Sequence, residues 1–150
     1  MIQATRENTL YLPIKQTYFD QIIAGTKKEE EREVKMGITA SRYLRHDANG
    51  NLVLNPSCTE DDEEYFLDDY NDGNFPFLAK PFKYLQLAVG YNKVRDEALV
   101  EVTGITFKAG RILGQGKKKF AWWIMVFHLG KVVKLERQRV HPETKGQKRP

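Results

Sequence analysis

The chain of 150 residues has a single cysteine, Cys58, so no internal disulfide can form and a reducing cytoplasm is the expected compartment. It has no run of about 18 apolar residues and no basic-then-apolar leader, so neither a membrane span nor a signal peptide is expected. Histidine is scarce: His46, His128 and His141 have no ligand spacing to one another or to Cys58. That argues against zinc, and no metal site or cofactor is expected. Gly114-Gln115-Gly116 leads into lysines without the Gly-Lys-Ser/Thr ending of a P-loop, so triphosphate binding of that kind is not expected either. A Ser/His/Asp arrangement has no support, and no internal repeat occurs.

What is present suits one domain spanning residues 1–150. A chain of this length buries roughly 68–70% of its unfolded surface. The 41% hydrophobic content is ordinary, and the 11% aromatic content is generous enough for a packed core. The net charge of +4 hides a strong asymmetry. Residues 1–72 hold 8 Lys/Arg against 15 Asp/Glu, net −7; residues 73–107 hold 4 against 3, net +1; residues 108–150 hold 12 against 2, net +10. A basic third of this density can attract a polyanion, nucleic acid first, although it could also solubilise a strand-rich half or pair with the acidic block.

Thr9–Ile14 reads as a first strand, with Pro13 pointing to a sheet edge or a strand end. Tyr18, Phe19, Ile22 and Ile23 make one face of a two-turn helix, with Thr17 as N-cap and Gly25 at its C-terminal end. Residues 35–43 carry no clear pattern. Asp47-Ala48-Asn49-Gly50-Asn51 is a turn signal leading into a short strand, Leu52-Val53-Leu54. An acidic insertion at about 55–74 has eight acids between Glu60 and Asp72, without the spacing of a calcium loop, and reads as a solvated insertion or a short surface helix. Tyr84–Tyr91 alternates as a strand, Asn92–Glu97 fits a hairpin loop, and Ala98–Phe107 is the next strand. Its apolar phase shifts at Gly104, which suggests a bulge. Phe120–Leu129 is apolar on both faces and should be a central strand; Gly130-Lys131 then reads as a turn into Val132–Arg139. A basic, mobile tail is expected over about 141–150.

The stretch Gly25-Thr26-Lys27-Lys28-Glu29-Glu30-Glu31-Arg32 is the most informative. Such a run is commonly a solvated helix laced with i,i+4 pairs. Read as a strand, it puts Lys28, Glu30, Arg32 and Val34 on one face and Glu29, Glu31 and Glu33 on the other. Together with Leu12-Pro13-Ile14-Lys15, Tyr18-Phe19-Asp20 and Ile22, the spacing Gly25-x-Lys27-x-x-Glu30-x-Arg32 resembles the opening of an ASCH domain, a branch of the PUA-like superfamily. The match covers about residues 10 to 35. It implies that the run is a strand, and that the fold is a small PUA-like β-barrel or curled mixed sheet. The strand count agrees: five to six strands and one or two short helices indicate an α+β protein.

Gly25, Lys27, Glu30 and Arg32 are therefore the candidate ligand-binding residues. Lysine suits phosphate, arginine offers a planar fork for phosphate or a base edge, and Glu30 can accept from a nucleobase amine. Lys117, Lys118 and Lys119 are candidate contacts to a nucleic-acid backbone. Trp122 and Trp123 could stack bases, but at the start of a buried strand at least one belongs to the core. The expected function is RNA or nucleotide binding, with no membrane association. The alternative is a small hydrolase, using Lys27 and Glu30 as catalytic residues on a modified nucleoside or an RNA phosphodiester. In relatives that are acetylcytidine amidohydrolases, a lysine activates a threonine three positions on. Glu30 stands at that threonine position here, which weakens the alternative. A third possibility is a protein-interaction module built on the acidic insertion.

Overall fold

The computed structural model describes residues 3–35, 38–53, 77–113 and 120–138; side chains of 109–113 and 120–122 are outside the description. The acidic insertion, Cys58, Lys117–Lys119 and the basic tail all lie outside the described residues. Five strands and two short helices follow in the order β1 (Thr9–Ile14), α1 (Gln16–Ala24), β2 (Glu29–Val34), α2 (Ala40–Tyr43), β3 (Tyr84–Val89), β4 (Glu97–Leu113) and β5 (Phe120–Glu136). The strands form one mixed sheet in the order β1-β3-β4-β5-β2, an α+β fold of the expected class. β1 pairs with β3 in parallel, whereas β3 with β4 and β2 with β5 are antiparallel.

Two compact units divide the chain, and β4 and β5 run through both. The first draws on residues 1–28, 82–103 and 129–150. Its β1 alternates, burying Leu10, Leu12 and Ile14, and it ends at the sheet edge, where the missing N–H of Pro13 is tolerated. β3 buries Tyr84, Leu85, Leu87 and Ala88, so both of its faces are covered, and Tyr91 lies beyond its end, exposed. Phe19 and Ile22 of α1 complete this core, while Tyr18 faces outward at 44% exposure. The second unit draws on residues 29–81 and 104–128, with a core of Val34, Ala40, Tyr43, Leu44, Trp123, Met125 and Phe127.

Several local expectations need correction. α1 starts at Gln16, not after a Thr17 cap: the Lys15 carbonyl already accepts the Phe19 N–H at 2.9 Å, and no side chain caps the helix. Residues 35–43, unpatterned in sequence, contain α2, set by the Thr39 hydroxyl, which accepts from the Lys35 N–H and donates to the Glu33 carbonyl, both at 2.9 Å. The Asp47–Asn51 turn is present; among the described residues a bridge between His46 and Leu52 and a hydrogen bond from the Val53 N–H to the Arg45 carbonyl flank it, and Leu54 lies outside them.

The largest correction is at Gly130, which turns nothing. β5 runs unbroken from Phe120 to Glu136. A Cβ at residue 130 would lie 2.8 Å from Thr103 Cγ2 and 3.2 Å from Glu101 Oε1, so this glycine admits β4 side chains that any larger residue would strike. Accordingly, Gly130→Ala should destabilise the protein by about 1–3 kcal/mol through overpacking. Thr103→Ser, by removing the struck methyl, should recover part of that loss. Thermal and urea unfolding of the single and double variants measures both.

Candidate functional site

Gly25 ends α1 in the left-handed conformation, φ +82°, which glycine adopts without a Cβ penalty. Its N–H reaches the Ile22 carbonyl at 3.1 Å, and the Gln21 carbonyl accepts from Thr26 N at 3.0 Å and Lys27 N at 3.1 Å. This closed helix end stops the charged run from continuing as helix. Lys27, in the first unit, places its ammonium 5.3 Å from the centroid of the Tyr18 ring, within cation–π range.

The strand β2 follows, and its faces alternate as the sequence requires. Glu30 and Val34 are buried and Arg32 is half-buried, whereas Glu29, Glu31 and Glu33 are exposed. The register sets Glu30 opposite Phe127, Arg32 opposite Met125 and Val34 opposite Trp123. A carboxylate with 6% of its side chain exposed, bordered by such neighbours, needs a counter-charge. Arg32 supplies it: its Nη1 donates to Glu30 Oε2 and, at 2.8 Å, to the Glu31 carbonyl.

Two further residues stand close to this pair, and sequence reasoning missed both. Burial pushes the Arg32 guanidinium below its ordinary value; Tyr43 opposes that shift, and the neighbouring Arg42 adds to it. Tyr43 is buried, and the exposed Arg42 guanidinium lies 5.8 Å from the centroid of its ring. The second unit thus sets a carboxylate and a guanidinium on the inner side of β2, with the Tyr43 phenol and the exposed Arg42 guanidinium within electrostatic reach of Arg32. Arg42 and Tyr43 lie in the stretch without periodicity; a paired Arg-Tyr at a helix end was the one available hint.

The exposed side of β2 is acidic, and a lysine or histidine side chain faces each acid. Glu31 pairs with Lys108 Nζ at 2.7 Å, Glu33 with Lys35 Nζ at 3.3 Å and Glu29 with His128 Nδ1 at 3.3 Å. The Lys108 ammonium is shifted upward by its hydrogen bond to Glu31. His128 Nε2 shares a hydrogen bond of 2.7 Å with Thr106 Oγ1. Charges along an edge strand also discourage pairing with other chains.

In the first unit a second polar centre surrounds Asp96, whose side chain is 1% exposed. Its carboxylate accepts from Gln138 N at 2.8 Å, Gln16 Nε2 at 3.0 Å and Arg137 Nη1 at 3.1 Å. Arg137 Nη1 also donates to Asp20 Oδ1 at 2.8 Å, and its guanidinium covers the Phe19 ring at 5.4 Å. These residues line a concavity of about 380 Å³, but their polar groups bond to one another, which makes this a clamp between α1, the β3–β4 loop and the end of β5. No local pattern marks it, because the partners of Asp96 are 41 to 80 residues away in sequence. Among the described residues, no three His, Cys, Asp or Glu side chains group closely enough to hold a metal ion, and no helix is long and apolar enough to cross a membrane.

Two outcomes follow for stability. Burial pushes the Asp96 carboxyl up, but the three donors outweigh it and hold it below the usual aspartate value. A carboxyl lowered on folding stabilises the protein above the unfolded value of about 4 and loses that contribution as pH falls through the folded value. Asp96→Asn should therefore flatten the acid limb of stability against pH below about 4 while lowering stability at pH 7. At the other centre, Arg32→Ala leaves Glu30 buried without its counter-charge and should destabilise by about 1–3 kcal/mol, less when combined with Glu30→Gln. Denaturant titrations across pH read out the first, and a double-mutant cycle the second.

No family model matches the chain, and neither a characterised protein sequence nor a solved structure is significantly similar to it.

Proposed function

We propose that this chain is an ASCH-type, PUA-like module that binds RNA or a nucleotide, with the anionic part of the ligand held at Arg32 and Arg42. One observation carries the reading: the half-buried Arg32, paired with Glu30 on the inner side of β2, has the exposed Arg42 guanidinium within electrostatic reach. Desolvated, planar donors recognise phosphate and base edges more strongly than exposed lysines do. The motif Gly25-x-Lys27-x-x-Glu30-x-Arg32 supplies Glu30 and Arg32 from the sequence side. Glu30 orients Arg32 and offers an acceptor to a base amine, and Lys27 contributes a phosphate contact. The basic residues of 108–150, including Lys117, Lys118 and Lys119, add the long-range attraction that brings a polyanion in.

Titration of single-stranded RNA at several salt concentrations tests this. About three phosphate contacts give a log–log slope near −2, at roughly −0.7 per contact. Arg42→Ala, which leaves the Glu30–Arg32 pair whole, should flatten the slope by about 0.7 and weaken binding. Lys27→Ala should do the same. A flat slope, or affinity indifferent to Arg42, Lys27 and Arg32→Lys, overturns the reading. Acylated cytidine and mixed RNA, incubated with wild type and with Glu30→Gln, should be bound without turnover; turnover lost in Glu30→Gln would establish the hydrolase instead.

A further inference from the structure

The loop joining β3 to β4, residues 90–96, has a densely held base and an uncovered tip. At the base, the Asp96 carbonyl accepts the Val89 N–H at 3.0 Å, and the Asp96 side chain takes the three donors of the clamp. Gln138 Nε2 donates to the Arg95 carbonyl at 3.0 Å. The Arg95 side chain folds inward, with Nε donating to Glu97 Oε2 at 3.0 Å and Nη1 reaching the Gly90 carbonyl at 3.5 Å. At the tip, Tyr91 is 84% exposed and Val94 60% exposed. A large aromatic ring placed in water on a loop fixed at both ends gains nothing from the fold itself.

Its surroundings indicate what it meets. Tyr91 borders a concave surface of about 440 Å³ with Pro13, Ile14, Lys15, Val89 and Gly90. That volume lies within the roughly 300–1,000 Å³ typical of small-molecule sites. Lys15 brings a positive charge to it, and the exposed Lys93 follows two residues after Tyr91 on the loop. Apolar floor, open aromatic face and positive rim are the elements of a single-strand binding platform. A protein partner fits less well. One ring and one valine fall short of the roughly 800 Å² per side that a stable protein interface buries, and such interfaces are depleted in lysine.

We propose that Tyr91 stacks one unpaired base of single-stranded RNA, with Lys15 and Lys93 taking the flanking phosphates. This inference rests on the RNA-binding reading above but assigns a contact on a different element. The test uses the full chain and a short, fluorescein-labelled single-stranded RNA, followed by anisotropy. Tyr91→Ala should weaken binding roughly 5- to 100-fold with the salt slope unchanged, because stacking releases no counterion. Tyr91→Trp should bind at least as well as wild type. Lys93→Ala should flatten the slope by about 0.7. RNA carrying 5-iodouridine should photocrosslink to the peptide containing Tyr91. Wild-type affinity in Tyr91→Ala, with Arg42→Ala impaired, overturns this inference and leaves the RNA-binding reading standing; that is also the result if the loop serves a protein partner. A crosslink that maps away from Tyr91 overturns it too, and failure of the wild-type protein to bind RNA overturns both.

Discussion

The antiparallel ladder between Glu29–Val34 and Trp123–His128 is the constraint on which the candidate site depends. The charged run could form a helix on its own propensities, since Glu, Lys and Arg are all good helix formers. Two features override them. The left-handed Gly25 closes α1 with its carbonyls already satisfied, and the next residues find backbone partners in β5 rather than in one another. Once the period is two, Val34 enters the core beside Trp123, and Glu30 and Arg32 must follow it inward. Burying those charges is tolerable only because they neutralise each other. The site is thus a by-product of register: a slip of one residue would turn Glu29, Glu31 and Glu33 inward with no guanidinium among them.

Much of this was legible in the residues. Alternation at Leu10, Leu12 and Ile14, the glycine after α1, the parity of the charged run and the two-sided apolar stretch around Trp123–Phe127 each carry a local signal. The shift of phase in β4 is real as well: Ala98, Val100 and Val102 are buried, whereas beyond Gly104 it is Ile105 and Phe107 that are partly covered and Thr106 and Lys108 that are exposed. What could not be read depended on distant chain. Gly130 has the local appearance of a turn, and only Thr103 and Glu101 on the neighbouring strand reveal it as a place of close approach. Arg42 and Tyr43 sit in a four-residue helix too short to show a period. Asp96 looks like any loop aspartate until Gln16, Arg137 and Gln138 are brought to it.

The two polar centres treat a buried carboxylate differently. Asp96 accepts a backbone N–H, an amide and a guanidinium whose geometry is also fixed by Asp20 and Phe19. That arrangement joins one guanidinium to both Asp96 and Asp20, and it ties the loop that begins at Gly90 to α1 and to the end of β5. Glu30 instead pairs with an arginine that has a second arginine beside it. Burial disfavours the charged form of Arg32; Tyr43 opposes that shift and the neighbouring Arg42 adds to it. One centre holds the backbone in place; the other pairs the charges that the register of β2 turns inward.

The pairing of β2 has a consequence for synthesis of the chain. Its partner residues in β5 are made about 90 to 100 residues later. At translation rates of roughly 5–20 residues per second, a ribosome-bound β2 therefore waits about 5–20 s for its ladder. β1 waits similarly for β3, across α1, β2 and α2. During that interval Val34 has no neighbouring strand to cover it, and the acids of β2 are what keep the growing polypeptide from sticking to its neighbours.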